Sequence, residues 1–322
     1  MQSVRSLRLD MSRFFQSSLN VLLAEILPRK VYRRYFVLLG LVYLAIRKDI
    51  RSKISCGTRS VYGNGIGILR RLKLERDIYL GLVDHYFEKM WNIYSPIEAF
   101  RDYIKQYTVI ANRAWLDHSL QNHKGILLIS GHYGGVEYLT ITLSARGYQP
   151  AIIARFKTPD LLQKTLPRAK SSNIEVLNAD EPKVLFRAAR MLKEGKILIT
   201  MCDEFSRWIC CPDKTVTVFG KSLFQDRTLE LLHRRAGVPV CLGLMQRCKK
   251  GYQLEIQPLS LLKEQSTESI ANLSWRLLEH FILRNPGQWY QWQKVAETLK
   301  VYPKKESLPS PQPSPNLIYA KI

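Results

Sequence analysis

The run Gly125-Ile-Leu-Leu-Ile-Ser130 constrains the fold more than any other segment of this chain. It is apolar at successive positions rather than alternate ones, so a strand there must be covered on both faces. Buried strands of this kind belong to parallel sheets flanked by helices. The downstream pattern agrees. Short β-type runs at 150–155, 174–177, 197–201, 215–219, 238–246 and 252–257 are separated by helical stretches at 134–146, 160–171, 181–193, 223–236 and 266–284. Asp180 reads as the N-cap of the helix over 181–193, with Pro182 in its first turn and Gly195 as its stop. The expected fold class is α/β: a mainly parallel sheet covered by helices.

The chain before this alternation has a different character. Residues 19–46 are largely apolar with helical spacing, interrupted at Pro28. A turn at Tyr62-Gly-Asn-Gly65 follows, then amphipathic helices over 66–104 broken at Ser95-Pro96, and no strand is expected before 115. Three regions result: a helical, basic, membrane-associating region over 1–115, an α/β domain over 116–300, and a Pro-rich tail over 301–322 that cannot pack.

Charge bears on partners. The net charge is +22, and residues 1–76 supply 16 Lys/Arg against 4 Asp/Glu. Nucleic acid, an anionic membrane and an acidic protein or substrate all fit such an excess. No nucleic-acid-binding signature is visible, which leaves only bulk charge to argue for RNA. The apolar run over 35–46 is shorter than the roughly 20 residues a membrane span needs. Basic pairs Arg33-Arg34 and Arg47-Lys48 bound it. It reads either as a helix lying on an anionic bilayer or as an ordinary core helix. The six cysteines form no C-x-x-C pair, which argues against a zinc site and fits reduced thiols.

The chemistry concentrates in Ser130-Gly-His132-Tyr-Gly134-Gly135-Val-Glu137. On a regular helix a five-residue spacing sets two side chains roughly 140° apart, so His132 and Glu137 could not meet there. With His132 in the strand-to-helix loop and Gly134-Gly135 permitting a tight return, a glutamate in the first turn can reach back to the imidazole. An imidazole held by a carboxylate at one nitrogen is free to act as a base at the other. No G-x-S-x-G or H-E-x-x-H is present. The nucleophile is therefore expected from a substrate, such as a hydroxyl attacking a thioester.

His-x4-Glu after a strand is similar to the signature of glycerolipid acyltransferases. The longer stretch through Leu143-Ser-Ala-Arg-Gly-Tyr148 to Ile152-Ile-Ala-Arg155 resembles the lipid A late (lauroyl/myristoyl) acyltransferases. Met201-Cys-Asp203-Glu204, Val218-Phe-Gly-Lys221, Ala236-Gly-Val-Pro-Val240 and Asn285-Pro-Gly-Gln-Trp289 with Trp292 follow in that family's order, so the resemblance covers about 100–295. It implies a glycerolipid-acyltransferase-like fold and transfer of a fatty acyl chain from an acyl carrier protein, or from coenzyme A, to a lipid hydroxyl. It also implies a monotopic protein on the cytoplasmic face of the bacterial inner membrane, with no cofactor or metal. His132 would be the base and Glu137 its orienting carboxylate. Arg155 would meet a substrate phosphate or the developing oxyanion. Asp203 and Glu204 match the second acidic motif as substrate-binding residues. Phe205-Ser-Arg-Trp208 and Cys210-Cys-Pro212 depart from the family pattern. They leave the acceptor open among a lipid A precursor, another glycolipid, an aminolipid or a polyene. Trp289, Tyr290 and Trp292 read either as membrane-interface aromatics or as a packed cluster.

Overall fold

A computed structural model describes residues 14–122, 125–156, 159–205, 208–264 and 268–301. The expectation of an unpacked tail falls, apart from Val301, outside the described residues, as do residues 1–13 and the Ser206-Arg207 departure.

The helical region opens with α1 (Ser18–Ile26) and α2 (Arg29–Ile46), split at Pro28. Next come α3 (Lys48–Tyr62), α4 (Ile68–Tyr94) and α5 (Ile97–Tyr107). The breaks at 63–67 and at Ser95-Pro96 are the ones the turn residues predict. A short strand, β1 (Thr108–Ile110), then appears where none was expected. Three residues carry too little pattern to announce a strand. Only its parallel partner β9 makes it one, with Thr108 opposite Tyr252.

The α/β part continues with α6 (Arg113–Asn122), β2 (Ile126–Ser130), a 3₁₀ turn at Val136–Tyr138, α7 (Leu139–Ser144), β3 (Pro150–Ala154), α8 (Pro159–Ser171) and β4 (Glu175–Asn178). After these come α9 (Val184–Lys193), β5 (Ile197–Met201), β6 (Cys210–Val218), β7 (Lys221–Asp226), α10 (Thr228–Ala236), β8 (Val240–Cys248) and β9 (Gly251–Pro258). The chain ends through α11 (Leu259–Glu264), α12 (Ile270–Arg284), a 3₁₀ turn at Pro286–Gln288 and α13 (Trp292–Val301). The main sheet has the order β1-β9-β8-β2-β5-β3-β4 and is parallel except at β8–β9. Every residue of β2 is buried, as the apolar run requires.

Two expectations need correction. The stretch 223–226 is strand, not helix: β7 pairs antiparallel with β6. The turn between them is Phe219-Gly220, both at positive φ, a backbone that suits a tight hairpin. Asp180 does not cap α9 either. The helix starts four residues later, after Lys183 in the left-handed region, because the Asp180 carboxylate is taken by Arg155.

Helices α1 to α5 are not a separate body. One hydrophobic cluster runs from Phe15 through the sheet to Val295. Gly81 of α4 makes the closest approach. A methyl there would sit 1.5 Å from the Gly287 carbonyl oxygen, so only glycine lets the 286–288 turn nest on α4. Among the described residues no helix is long and apolar enough to cross a membrane. Helix α2, which contains 35–46, is two-faced. Tyr32, Phe36, Gly40, Tyr43 and Leu44 pack inward, while Leu38, Leu41, Val42 and Ile46 stay exposed.

Candidate active site

Strands β2 and β5 lie side by side in parallel, with Ser130 opposite Met201. Two residues beyond each strand come His132 and Asp203. The register therefore delivers these two side chains to the same point at the C-terminal edge of the sheet, where open α/β sheets hold their sites. His132 Nδ1 lies 2.8 Å from Asp203 Oδ1, and the His132 backbone N–H donates to Asp203 Oδ2 at 2.8 Å. Trp289 Nε1 donates to the same Oδ2 at 2.9 Å. A carboxylate only accepts, so Nδ1 carries a proton toward Asp203.

The His132 loop is clamped on both sides. Gly134 N–H donates to the Gln288 carbonyl and Gly135 N–H to that of Met245 on β8, each at 2.7 Å. Tyr290 N–H donates to the His132 carbonyl at 2.9 Å. Gly134 has φ +58°, and a Cβ there would lie 1.9 Å from the Met245 carbonyl oxygen. The glycine is thus required by both conformation and space. Arg247 adds a further tie, donating to the Gly134 carbonyl at 2.8 Å while holding Glu88 of α4 through two bonds of 2.6 and 2.9 Å.

Glu204 reaches the other face of the imidazole, with Oε1 3.2 Å from His132 Nε2. The Gln291 amide nitrogen is 3.2 Å from both Glu204 Oε1 and His132 Nδ1. Because Nδ1 gives its proton to Asp203, the amide donates to Glu204. Lys294 Nζ stands 3.7 Å from Glu204 Oε2. Burial alone would lower the His132 pKa, but the charges of Asp203 and then Glu204 outweigh it and raise the value above the ordinary 6.5. Burial would raise the Asp203 carboxyl, yet His132 and the surrounding donors hold it below its usual range. Asp203 is fully buried, whereas the His132 side chain keeps 19 % of its surface, so a substrate can reach the ring.

Glu137 is not where the short spacing put it. It occupies the 3₁₀ turn after the glycines, but no hydrogen bond or ion pair joins it to His132. Its Oε1 lies 3.7 Å from His85 Nε2 of α4, and its backbone carbonyl accepts from Asn92 at 2.9 Å. Burial pushes its carboxyl up, with Lys89 and His132 pulling back. The orienting partner of His132 is Asp203, because strand register brings it closer than chain proximity brings Glu137. Arg155 stands just past β3, its Nε donating to Asp180 at 2.8 Å, and the Glu204 charge acts on it. Trp289 and Trp292 are buried, so the packed-cluster reading holds for them. Phe219 from the hairpin turn packs on both rings, 5.6 and 6.3 Å between centroids. Sequence reasoning passed over His85, Gln291 and Lys294, which carry no motif; Trp289 stood in a recognised Pro-x-x-Trp segment, without the role of holding Asp203.

Sheet and site together define a class. This is an α/β protein with a carboxylate-held histidine at the edge of its central strands. Among the described residues no serine, threonine or cysteine bonds to either ring nitrogen. The family model for bacterial lipid A biosynthesis acyltransferases matches residues 93–295, well over half of the chain. The chain belongs to that family, and it is an acyltransferase. Comparison with curated proteins finds no matching relative.

Proposed function

We propose that this protein moves a fatty acyl chain from a carrier-protein or coenzyme A thioester to a hydroxyl of a lipid A-like acceptor. The observation that carries the mechanism is the His132–Asp203 pair with no serine, threonine or cysteine bonded to the ring among the described residues. The acceptor hydroxyl takes the place of Glu204 at His132 Nε2 and gives its proton to that nitrogen as its oxygen attacks the thioester carbonyl. The tetrahedral intermediate collapses, the carbon–sulfur bond breaks, and the imidazolium returns the proton to the departing thiolate. Asp203 keeps the ring in the right tautomer and stabilises the imidazolium throughout. Arg155 is assigned to an anionic group of the substrate, a phosphate or the developing oxyanion, for which it exchanges Asp180.

Membrane association belongs to the same proposal. The exposed face of α2 joins Leu19, Leu22 and Ile26 of α1 and is bounded by Arg34 and Lys48. An apolar stripe edged by cations suits the surface of an anionic bilayer. Such placement, on the cytoplasmic face of the inner membrane, gives the site access to both a lipid acceptor and a carrier in solution. The test is to incubate the purified protein with an acyl thioester and a phosphorylated glucosamine-based lipid, then follow thiol release and lipid mass. Wild type should add one acyl mass and His132→Ala should add none while still unfolding cooperatively. A wild-type protein that consumes neither donor defeats the reading.

A further inference from the structure

Two carboxylates hold the His132 ring, and only one of them is fixed. Asp203 is fully buried, and its carboxylate also accepts from Trp289 Nε1 and from the His132 backbone N–H. The side chain of Glu204, next in the chain, keeps 35 % of its surface. Three groups surround it. His132 Nε2 and the Gln291 amide nitrogen each lie 3.2 Å from Oε1, and Lys294 Nζ lies 3.7 Å from Oε2. One oxygen therefore sits on the base and the other faces a cation.

Gln291 and Lys294 come from one turn. The Lys294 backbone N–H donates to the Gln291 carbonyl at 2.9 Å, and a spacing of three residues sets both side chains on one face. This turn cannot follow a moving Glu204. Helix α13 is seated on α3, where a Cβ at Gly57 would lie 2.3 Å from the Trp292 carbonyl oxygen, and the Tyr62 ring stacks on Trp292 with 6.0 Å between centroids. Gln291 is buried, whereas the Lys294 side chain is open to solvent and makes no ion pair with any other described residue.

A carboxylate has only lone pairs to offer, so the contact of Glu204 with Nε2 needs a proton on that nitrogen. With Nδ1–H directed at Asp203, the ring in this state is an imidazolium between two carboxylates, and an imidazolium cannot accept a proton. Once Nε2 is neutral, lone pairs face each other and Lys294 becomes the better partner for Glu204. The other charged or titratable neighbours are engaged elsewhere. Glu137, whose carboxyl feels His132, turns to His85 of α4. Arg155, just past β3, feels Glu204 but is held by Asp180 at 2.8 Å. The Tyr290 ring stands 5.9 Å from that of His132, centre to centre.

We infer that Glu204 is a displaceable carboxylate that closes the site: its Oε1 occupies the position of the acceptor's hydroxyl oxygen at His132 Nε2, and the site opens when Glu204 swings onto Lys294. The entering hydroxyl inherits both neighbours of Oε1, giving its proton to Nε2 while the Gln291 amide donates to its oxygen. The inference rests on the acyl-transfer reading and deepens it. Glu204 competes with the acceptor instead of binding it, and Lys294 is the positioning residue that receives the carboxylate.

The test measures initial rates from pH 5 to 9, with the acyl-thioester donor saturating and the phosphorylated glucosamine-based lipid varied. Wild type, Glu204→Ala, Lys294→Met and the double variant are compared. The kcat/KM profile reports the free, closed enzyme and the kcat profile the open complex. In wild type the acid limb of kcat/KM should lie at higher pH than that of kcat, because the Glu204 charge holds the proton on the ring only in the closed state. Glu204→Ala should bring the two limbs together and lower the KM for the lipid about 10-fold, the worth of one hydrogen bond to a charged group. Lys294→Met leaves Glu204 without its alternative partner. It should raise that KM about 10-fold by itself and change it little in the Glu204→Ala background, a non-additivity that loss of a merely structural contact would not give. A KM that rises in Glu204→Ala, wild-type limbs that coincide, or a Lys294→Met effect undiminished without Glu204 would each overturn the gate while leaving acyl transfer in place. A wild-type protein that turns over no thioester removes the acyl-transfer reading and the gate with it.

Discussion

At the residue scale the decisive pair is His132 and Asp203, and it fixes a pH dependence. In the proposed mechanism His132 works only when neutral, and its pKa is raised. Activity should therefore fall as pH drops through a value above 6.5. Asp203→Asn removes the first of the charges that raise it and offers an amide in place of an obligatory acceptor. The variant should lose about 10³-fold in kcat, and the acid limb of its rate profile should move to lower pH. Rate profiles from pH 5 to 9 check both, and a limb that does not move would mean Asp203 is not what holds the proton. Stability follows from the same shifts. The His132 contribution is complete below its unfolded value and is lost as pH rises through the raised folded one. The Asp203 contribution is present above its unfolded value and is lost on acidification through the lowered folded one. The two overlap fully between about pH 4 and about 6.5, so the melting-temperature gap between wild type and Asp203→Asn should be widest there. His132 was legible as a site candidate because it follows a buried strand and precedes two glycines. Its partner was not legible. Glu137 is near in the chain, whereas Asp203 is near only through the β2–β5 register.

At the element scale, α2 packs one face into the core and leaves the other exposed. Its inward face meets Val83 and Phe87 of α4, and Gly40 allows that approach, since a Cβ there would lie 2.6 Å from the Val83 methyls. Leu38 and Leu41 on the outward face stay exposed. Leu38→Asp, Leu41→Asp and Ile46→Asp together should reduce binding to vesicles containing anionic lipid by 100-fold or more, since each apolar side chain moved out of water is worth about 1.5–3 kcal/mol. Unfolding midpoints should barely change, because exposed positions seldom matter by more than about 0.5 kcal/mol. Sedimentation with vesicles measures the first and urea titration the second; undiminished vesicle binding would move the membrane contact elsewhere. The hairpin β6–β7 teaches a different lesson. Its second strand runs straight into α10, and the apolar spacing of 223–232 reads as one helix. Only the positive-φ turn at Phe219-Gly220 marks the strand, and its partner strand starts with cysteines and a proline that carry no alternation.

At the scale of the whole molecule, the buried ion pair between Glu88 of α4 and Arg247 of β8 joins the helical region to the sheet. Tyr252 donates to the same Glu88 carboxylate at 2.8 Å, and Arg247 also holds the Gly134 carbonyl, so the pair braces the catalytic loop from behind. Glu88→Ala would leave a buried guanidinium without its counter-charge and should cost about 3–5 kcal/mol in urea unfolding. A cost below about 1 kcal/mol would mean that water reaches the pair and that α4 is not tied to the sheet through it. The sequence by itself determined the parallel α/β core, the break at Pro28, the position of His132 at the end of a central strand and the family, because these rest on local apolar runs, turn residues and ordered short motifs. The tertiary structure alone decided which carboxylate serves His132, which face of α2 is covered, and that Trp289 holds Asp203 from the core. Each of those depends on strand register or on helix packing between residues tens of positions apart, and no local pattern encodes such distances.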